Sequence, residues 1–156
     1  MAHFAIQFGK TIIGKTYKQR QSVYGICRGE NGKIAIVKVG DKHKFYYDLP
    51  GGGVENEESE PEALIREFEE ETGLIVWPIR QMGRSGQFWI NKEVPLNSLS
   101  SFFEVEITGQ PVEPTEENHT LVWLTIEEAS KKVRHDSHAW AILSFQREQY
   151  KTDNPA

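Results

Sequence analysis

Glu67, Glu70 and Glu71 stand at spacings i, i+3 and i+4. On an α-helix of 3.6 residues per turn, those spacings set three carboxylates on one face, within an arc of roughly 100°. Carboxylates so close repel, and each raises the pKa of the others. Two arrangements relieve the conflict. Water can screen the charges on an ordinary solvated helix face, as it does for most charge runs. Alternatively, a divalent cation can sit among them, and hard oxygen donors of this kind suit Mg²⁺ or Mn²⁺ rather than zinc. A solvated helix would gain from lysines at i+4, yet no lysine lies between Glu60 and Thr72.

The acidity is local. Between Glu55 and Glu71 there are nine glutamates and one base, Arg66. The chain carries 23 acids, 18 bases and a formal net charge of -5, so the remainder holds 14 acids against 17 bases. An acidic chain lacks the basic patches that long nucleic acid requires, so no such partner is expected. A small anionic substrate bridged by metal remains compatible. Cys27 is the only cysteine, which excludes an internal disulfide and argues against a thiolate zinc site. No apolar run is long enough to span a bilayer, and the N-terminus has no signal-like apolar core. A cytoplasmic protein with no membrane partner is the expectation. At 156 residues the chain suits one domain, 1–150, with 151–156 as a flexible tail.

The elements that must hold the glutamates follow from pattern. Residues 21–28 and 33–39 read as strands joined by a turn at Asn31-Gly32, and 44–49 as a third strand. Gly51, Gly52 and Gly53 then break regular structure. A helix is predicted from about Ser59 to Thr72, with a Ser59/Glu62 capping box, Pro61 in the first turn and Gly73 as left-handed C-cap. Leu64, Ile65 and Phe68 can anchor it to a sheet. "GLIVWPI", "FWINKEV" and "SLSSFFEVEI" read as strands, followed by a polar loop and the strand "TLVWLT". Thr125 and Glu128 predict a capping box for a helix at 126–132, and Asp136 a cap for a last helix to about Tyr150. Strands mixed with helices indicate an α/β or α+β sandwich.

Gly52, Glu58, Arg66, Glu67, Phe68, Glu70, Glu71, Gly73 and Leu74 satisfy G-x5-E-x7-R-E-U-x-E-E-x-G-U, where U is bulky and apolar. The chance of that match in a random chain of this length is on the order of 10⁻⁷. The pattern is the Nudix box, and the chain resembles the Nudix (MutT-like) hydrolases. "YYDLPGGG" before the box and "HTLVWLTIEEA" after it extend the resemblance over about residues 20–150.

The resemblance implies an α/β/α sandwich around a mixed sheet. It also implies divalent-metal-dependent hydrolysis of a nucleoside diphosphate linked to a further group, X, with a nucleoside monophosphate as one product. Glu70 and Glu71 are then the main metal ligands. Glu67 is a further ligand, or the residue that orients or deprotonates water, and the Gly51 carbonyl is a backbone ligand. Arg66 pairs with a box glutamate, Glu58 being the attractive partner. A late carboxylate is expected from Glu113, Glu116 or Glu117, with Glu117 favoured and Glu116 close behind.

Substrate contacts are drawn less sharply by the sequence. Tyr47 is a candidate for the nucleotide pocket against a core role, and Lys38 for phosphate against an ordinary surface position. Phe88 and Trp89 are candidates to stack on a base or simply to pack, Arg84 is an exposed candidate, and His119 is a candidate to assist Glu117. Cys27, Trp123 and Trp140 read as core. The leading substrate class is a nucleoside triphosphate or a related small nucleotide. Alternatives are ADP-ribose, nucleotide sugars, dinucleoside polyphosphates, 5′-triphosphorylated RNA, or binding without catalysis. The oligomeric state, monomer or homodimer, stays open.

Overall fold

The computed structural model describes residues 6–156. The strands are β1 (Gln7–Phe8), β2 (Lys18–Cys27), β3 (Lys33–Gly40), β4 (Phe45–Asp48), β5 (Gly51–Gly53), β6 (Val76–Asn91), β7 (Val94–Ile107) and β8 (His119–Thr125). The helices are α1 (Glu60–Thr72), α2 (Ile126–Lys132) and α3 (Asp136–Asp153). Five strands form a mixed sheet in the order β1-β6-β7-β2-β5, and three form an antiparallel sheet in the order β4-β3-β8. The expected sandwich is present, with its strands divided between two sheets. β2 and β3 do meet at the Asn31-Gly32 turn, where both residues take left-handed φ. They belong to different sheets, joined by a single Arg28–Ile34 bridge.

Alternation along the strands builds the layers. On β2, Val23 and Cys27 face α1, whereas Ile26 faces the opposite cluster. On β3, Ala35 joins the α1 side, and Ile34 and Ile36 the other. Leu64 and Phe68 of α1 are fully buried against the first set; Ile142 and Phe145 of α3 are fully buried against the second. Each such side chain contributes roughly 1.5–3 kcal/mol through its burial. The sheets are thus apolar on both faces, as helices on both sides require. Cys27 is core, and burial raises its thiol to about 11. Trp123 and Trp140 pack half-buried against the two clusters. Among the described residues no helix is long and apolar enough to cross a membrane.

Four local readings change, the first at Gly51–Gly53: read as a break, these residues pair antiparallel with β2 as strand β5. "FWINKEV" is not a strand: Lys92 and Glu93 both have positive φ, at 47° and 71°, and turn the chain between Asn91 and Val94. A two-residue turn of this hand matches strand twist, and the absence of Gly hid it from the sequence. "GLIVWPI" and "FWI" consequently merge into the 16-residue β6, with register shifts near Pro78 and Gln81. Asp136 is the first residue of α3 rather than its cap. The buried Ser137 N–H instead donates to Gln87 Oε1 (3.1 Å), from β6. At α1, Ser59 accepts from the Glu62 N–H, but Glu62 returns to the Ser59 hydroxyl rather than to its N–H. The Thr125/Glu128 box is complete.

His138 lies inside the α3 layer, 1% exposed, and its Nδ1 accepts the Leu49 N–H at 3.2 Å. Burial holds its pKa well below 6.5, with His135 and Arg134 adding to the effect. A base whose folded pKa is depressed stabilises the fold above its unfolded pKa and loses that contribution as the pH falls. Between pH 7 and pH 5 this group is expected to remove stability as the pH falls. Denaturant unfolding at both pH values checks it: acidification should cost His138→Gln less than the wild type.

Candidate active site

α1 delivers the carboxylates because its apolar stripe is pinned to the sheets. Glu67, Glu70 and Glu71 lie on the side that meets the Gly51–Gly53 strand, and all three line one cleft of about 520 Å³. Arg66 is their common partner. Its Nε and Nη2 form a fork on Glu58 at 2.6 and 2.9 Å, and Nη1 reaches Glu67 Oε1 (3.0 Å) and Glu70 Oε2 (3.2 Å). Nη2 also donates to the Gly53 carbonyl at 3.3 Å. Two-pronged guanidinium–carboxylate pairing fixes orientation as well as charge. It holds the Glu58 carboxyl below its ordinary pKa and keeps Arg66 firmly protonated.

Glu71 is 7% exposed and carries two partners. The Gly51 N–H donates to Oε1 at 2.9 Å, and His119 Nε2 lies 3.2 Å from Oε2. His119 Nδ1 lies 2.8 Å from the Glu117 carbonyl. Both imidazole nitrogens therefore face acceptors, which describes an imidazolium. The bond to Glu71 raises the His119 pKa to about 9. Burial pushes Glu71 up, and burial together with Glu71 pushes Glu67 up to about 7. Desolvation and like charge outweigh what Arg66 returns to Glu67.

The glycines let the backbone reach these side chains. Gly51 has φ +145°, and a Cβ there would strike the Val23 carbonyl. A Cβ on Gly52 would sit 2.8 Å from Glu67 Oε1. The β5 strand is thus laid directly against two carboxylates.

The structure separates the remaining expectations. Glu116, not the favoured Glu117, lines the cleft. The Thr115 and Glu116 N–H groups both donate to the Glu70 carbonyl, at 2.9 and 2.8 Å, which moors this loop on the end of α1. Glu117 meets the site through its carbonyl, on His119. Glu113 is exposed. Tyr47 packs against the α3-side cluster and Lys38 Nζ sits 4.0 Å over the Phe45 ring, so neither lines the cleft. Tyr46 does. It points to the opposite face of β4 from Tyr47, and a strand of four residues gave the sequence no phase by which to choose between them. Phe88 packs edge-on to Tyr17, Arg84 pairs with Glu60 at 3.7 Å, and Trp89 lines the cleft. Arg20, Asn91, Lys92 and Arg134 also line it and escaped sequence reasoning, because no local pattern marks them.

The NUDIX domain model matches residues 18–144. The chain belongs to the Nudix hydrolase family. An 8-oxo-(d)GTP phosphatase of Mycolicibacterium smegmatis is 29% identical over 121 residues, covering 75% of this chain and 36% of that protein. An ADP-ribose pyrophosphatase of Methanocaldococcus jannaschii is 35% identical over 80 residues, covering 46% of this chain and 47% of that protein. The chain thus spans between about a third and a half of the length of these curated relatives. A Nudix hydrolase from Nitrosomonas europaea shares the fold with a TM-score of 0.71 at 20% identity, over 84% of this chain and 90% of that one. A MutT protein from Methanosarcina mazei Go1 does so with a TM-score of 0.67 at 22% identity, over 87% and 99%.

Nudix hydrolases generally use divalent metals. Among the described residues no three His, Cys, Asp or Glu side chains already form a metal cage; Arg66 and His119 occupy the carboxylates instead. The donor chemistry nonetheless fits a hard cation. Glu67, Glu70, Glu71 and Glu116 offer only oxygen in one cleft.

The two glycines give contrasting expectations. Gly52→Ala meets only the end of a flexible side chain, so the melting temperature should hold while hydrolysis falls as Glu67 is displaced. Gly51→Ala meets backbone at a φ that L residues avoid and should lower the melting temperature by several degrees. Thermal unfolding and turnover, measured on both variants, check the pair.

Proposed function

We propose that this Nudix protein is a Mg²⁺- or Mn²⁺-dependent pyrophosphohydrolase. It cleaves the pyrophosphate link of a nucleoside triphosphate or a related small nucleotide and releases a nucleoside monophosphate. One observation carries the reading: a single cleft joins the box carboxylates to cations that those carboxylates do not consume. Arg66 is taken up by four glutamates and His119 by Glu71. Arg20 and Lys92 line the same cleft and form no ion pair with the described residues. They supply charge for phosphate oxygens.

A divalent ion held by Glu70 and Glu71, with Glu116 and the Gly51 carbonyl as further donors, would neutralise the pyrophosphate and acidify the attacking water. The chain's own residues do the rest. Glu67 Oε1 is engaged by Arg66, which leaves Oε2 to take a proton from water. Arg66, clamped by Glu58, keeps Glu67 and Glu70 oriented, as a supporting shell does. His119 holds Glu71 in place from the far side. Arg20 and Lys92 draw the phosphates against the glutamates.

The relative from M. smegmatis, by its name, supports a triphosphate. The relative from M. jannaschii supports a second reading, ADP-ribose. A panel of triphosphates, oxidised triphosphates, ADP-ribose, nucleotide sugars, dinucleoside polyphosphates and 5′-triphosphorylated RNA, with products identified, separates them. Glu70→Gln is expected to lower kcat by several orders of magnitude, and excess chelator to abolish turnover. Full rates in either case would remove the metal-site reading. Glu116→Gln should slow hydrolysis more than Glu117→Gln; the reverse order returns the late carboxylate to Glu117. Tight binding of a nucleotide without turnover would make the protein a sensor.

A further inference from the structure

The connection between β1 and β2, residues 9–17, is tied down by hydrogen bonds and yet holds two isoleucines out in solvent. β1 runs parallel to β6, and β2 runs parallel to β7. The connection must therefore pass the same end of the sheet as the β6–β7 turn. At its tip the Lys15 N–H donates to the Ile12 carbonyl at 3.2 Å. Gly14 follows Ile13 with φ +89°, the left-handed conformation that the third residue of a type II turn requires. The Ile12 N–H donates to Tyr17 Oη at 3.1 Å, and the Tyr17 ring packs edge-on against Phe88 of β6. On this fixed backbone Ile13 is fully exposed and Ile12 is 51% exposed. Ile90 and Val94, on either side of the β6–β7 turn, are exposed at the same end.

The charge around the tip is almost all of one sign. No acid occurs before Glu30, whereas Lys10, Lys15, Lys18 and Arg20 lie between positions 10 and 20. Lys92 adds a cation at the β6–β7 turn, beside one acid, Glu93. Lys10, Lys15 and Lys18 are exposed and form no ion pair with the described residues. The acids responsible for the net charge of -5 are concentrated between Glu55 and Glu71 instead.

A single exposed isoleucine is ordinary. Two at the tip of a fixed turn, ringed by lysines, match the surface of an anionic bilayer. The apolar side chains enter the boundary with the acyl chains, and the lysine stems lie along it with their ammonium groups at the lipid phosphates. A protein partner suits the tip less well. Protein interfaces centre on Tyr, Trp and Arg and are depleted in Lys, and a side chain as exposed as Ile13 projects from the surface rather than lining a groove. We propose that the Ile12–Ile13 tip docks this protein peripherally on an anionic phospholipid surface, with Lys10, Lys15 and Lys18 as its ring of cations. Docking of this kind needs no spanning helix, and two apolar side chains give reversible attachment. Lys92 belongs both to this end and to the cleft, so the docked protein holds its cleft beside the lipid headgroups.

Flotation with vesicles of equal parts phosphatidylcholine and phosphatidylglycerol, against phosphatidylcholine alone, tests the surface. The full chain is expected to float with the anionic vesicles at low salt, to leave them at high salt, and not to float with the neutral ones. Ile13→Asp removes the apolar tip where there is no packing to lose, and should lower the partition coefficient by on the order of 10-fold or more. Lys10→Glu combined with Lys15→Glu should lower it at least as far, whereas Ile13→Trp should keep it at or above the wild-type value. All these variants should keep the wild-type melting temperature and hydrolyse soluble nucleotides at the wild-type rate, which separates a failure of docking from a failure of the enzyme reading. No flotation of the wild type would overturn the proposal. Equal flotation of Ile13→Asp would overturn it too, because the attachment would then be charge alone. Dimers that form without vesicles and that Ile13→Asp dissociates would assign the tip to a second copy of the chain instead.

Discussion

A single guanidinium, that of Arg66, answers four carboxylates from two segments of chain. Glu58 lies before α1 and Glu67 and Glu70 lie on it, while Glu55 approaches to 3.7 Å. Without that cation, the inner face of the helix would press like charges together in a partly buried space. With it, the loop from Gly53 to Glu58 is tied to the helix and two of the acidic side chains are oriented toward the cleft. Truncating such a hub leaves several charged groups unpaired, so its removal costs more than any one contact is worth.

Packing on the far side of α1 makes this arrangement possible. Leu64 and Phe68 are fully buried, which fixes the rotation of the helix and hence the direction in which Glu67, Glu70 and Glu71 point. β5 closes the site from the other side. Gly51 donates to Glu71 and Gly52 sits against Glu67, contacts that a side chain on either glycine would obstruct. Hydrophobic burial thus sets the geometry, and hydrogen bonds and ion pairs adjust it within about an ångström. Burial is the main cause that raises the pKa of Glu67 and Glu71 on this face, with Glu71 adding like charge at Glu67.

The cleft is assembled from both sheets. Tyr46 comes from the antiparallel sheet, Arg20 and Trp89 from the mixed one, and Arg134 from the segment between α2 and α3. The split explains why a loop anchored on the Glu70 carbonyl matters: it brings Glu116 and His119 to the end of α1 from the strand that completes the smaller sheet. The residues that line the cleft, from Arg20 to Arg134, thus come from nearly the whole length of the chain.

What the sequence determined by itself was local and periodic. The spacing of Glu67, Glu70 and Glu71, the caps of α1 and α2, the glycines of the loop and the apolar anchors of the helix can all be read within a few turns, because they depend on near neighbours. The Arg66–Glu58 pairing was legible only through the resemblance to the Nudix box. Tertiary structure alone decided whether Glu116 or Glu117 enters the cleft, since a backbone bond to Glu70 sets the loop's direction. It alone chose Tyr46 over Tyr47, because a short strand reveals alternation but not which face meets the cleft. It also gathered Arg20, Lys92, Trp89 and Arg134, which are separated by up to 114 positions in the chain. Such contacts exist only after strand pairing and layer packing have closed, and no single segment carries the information that closes them.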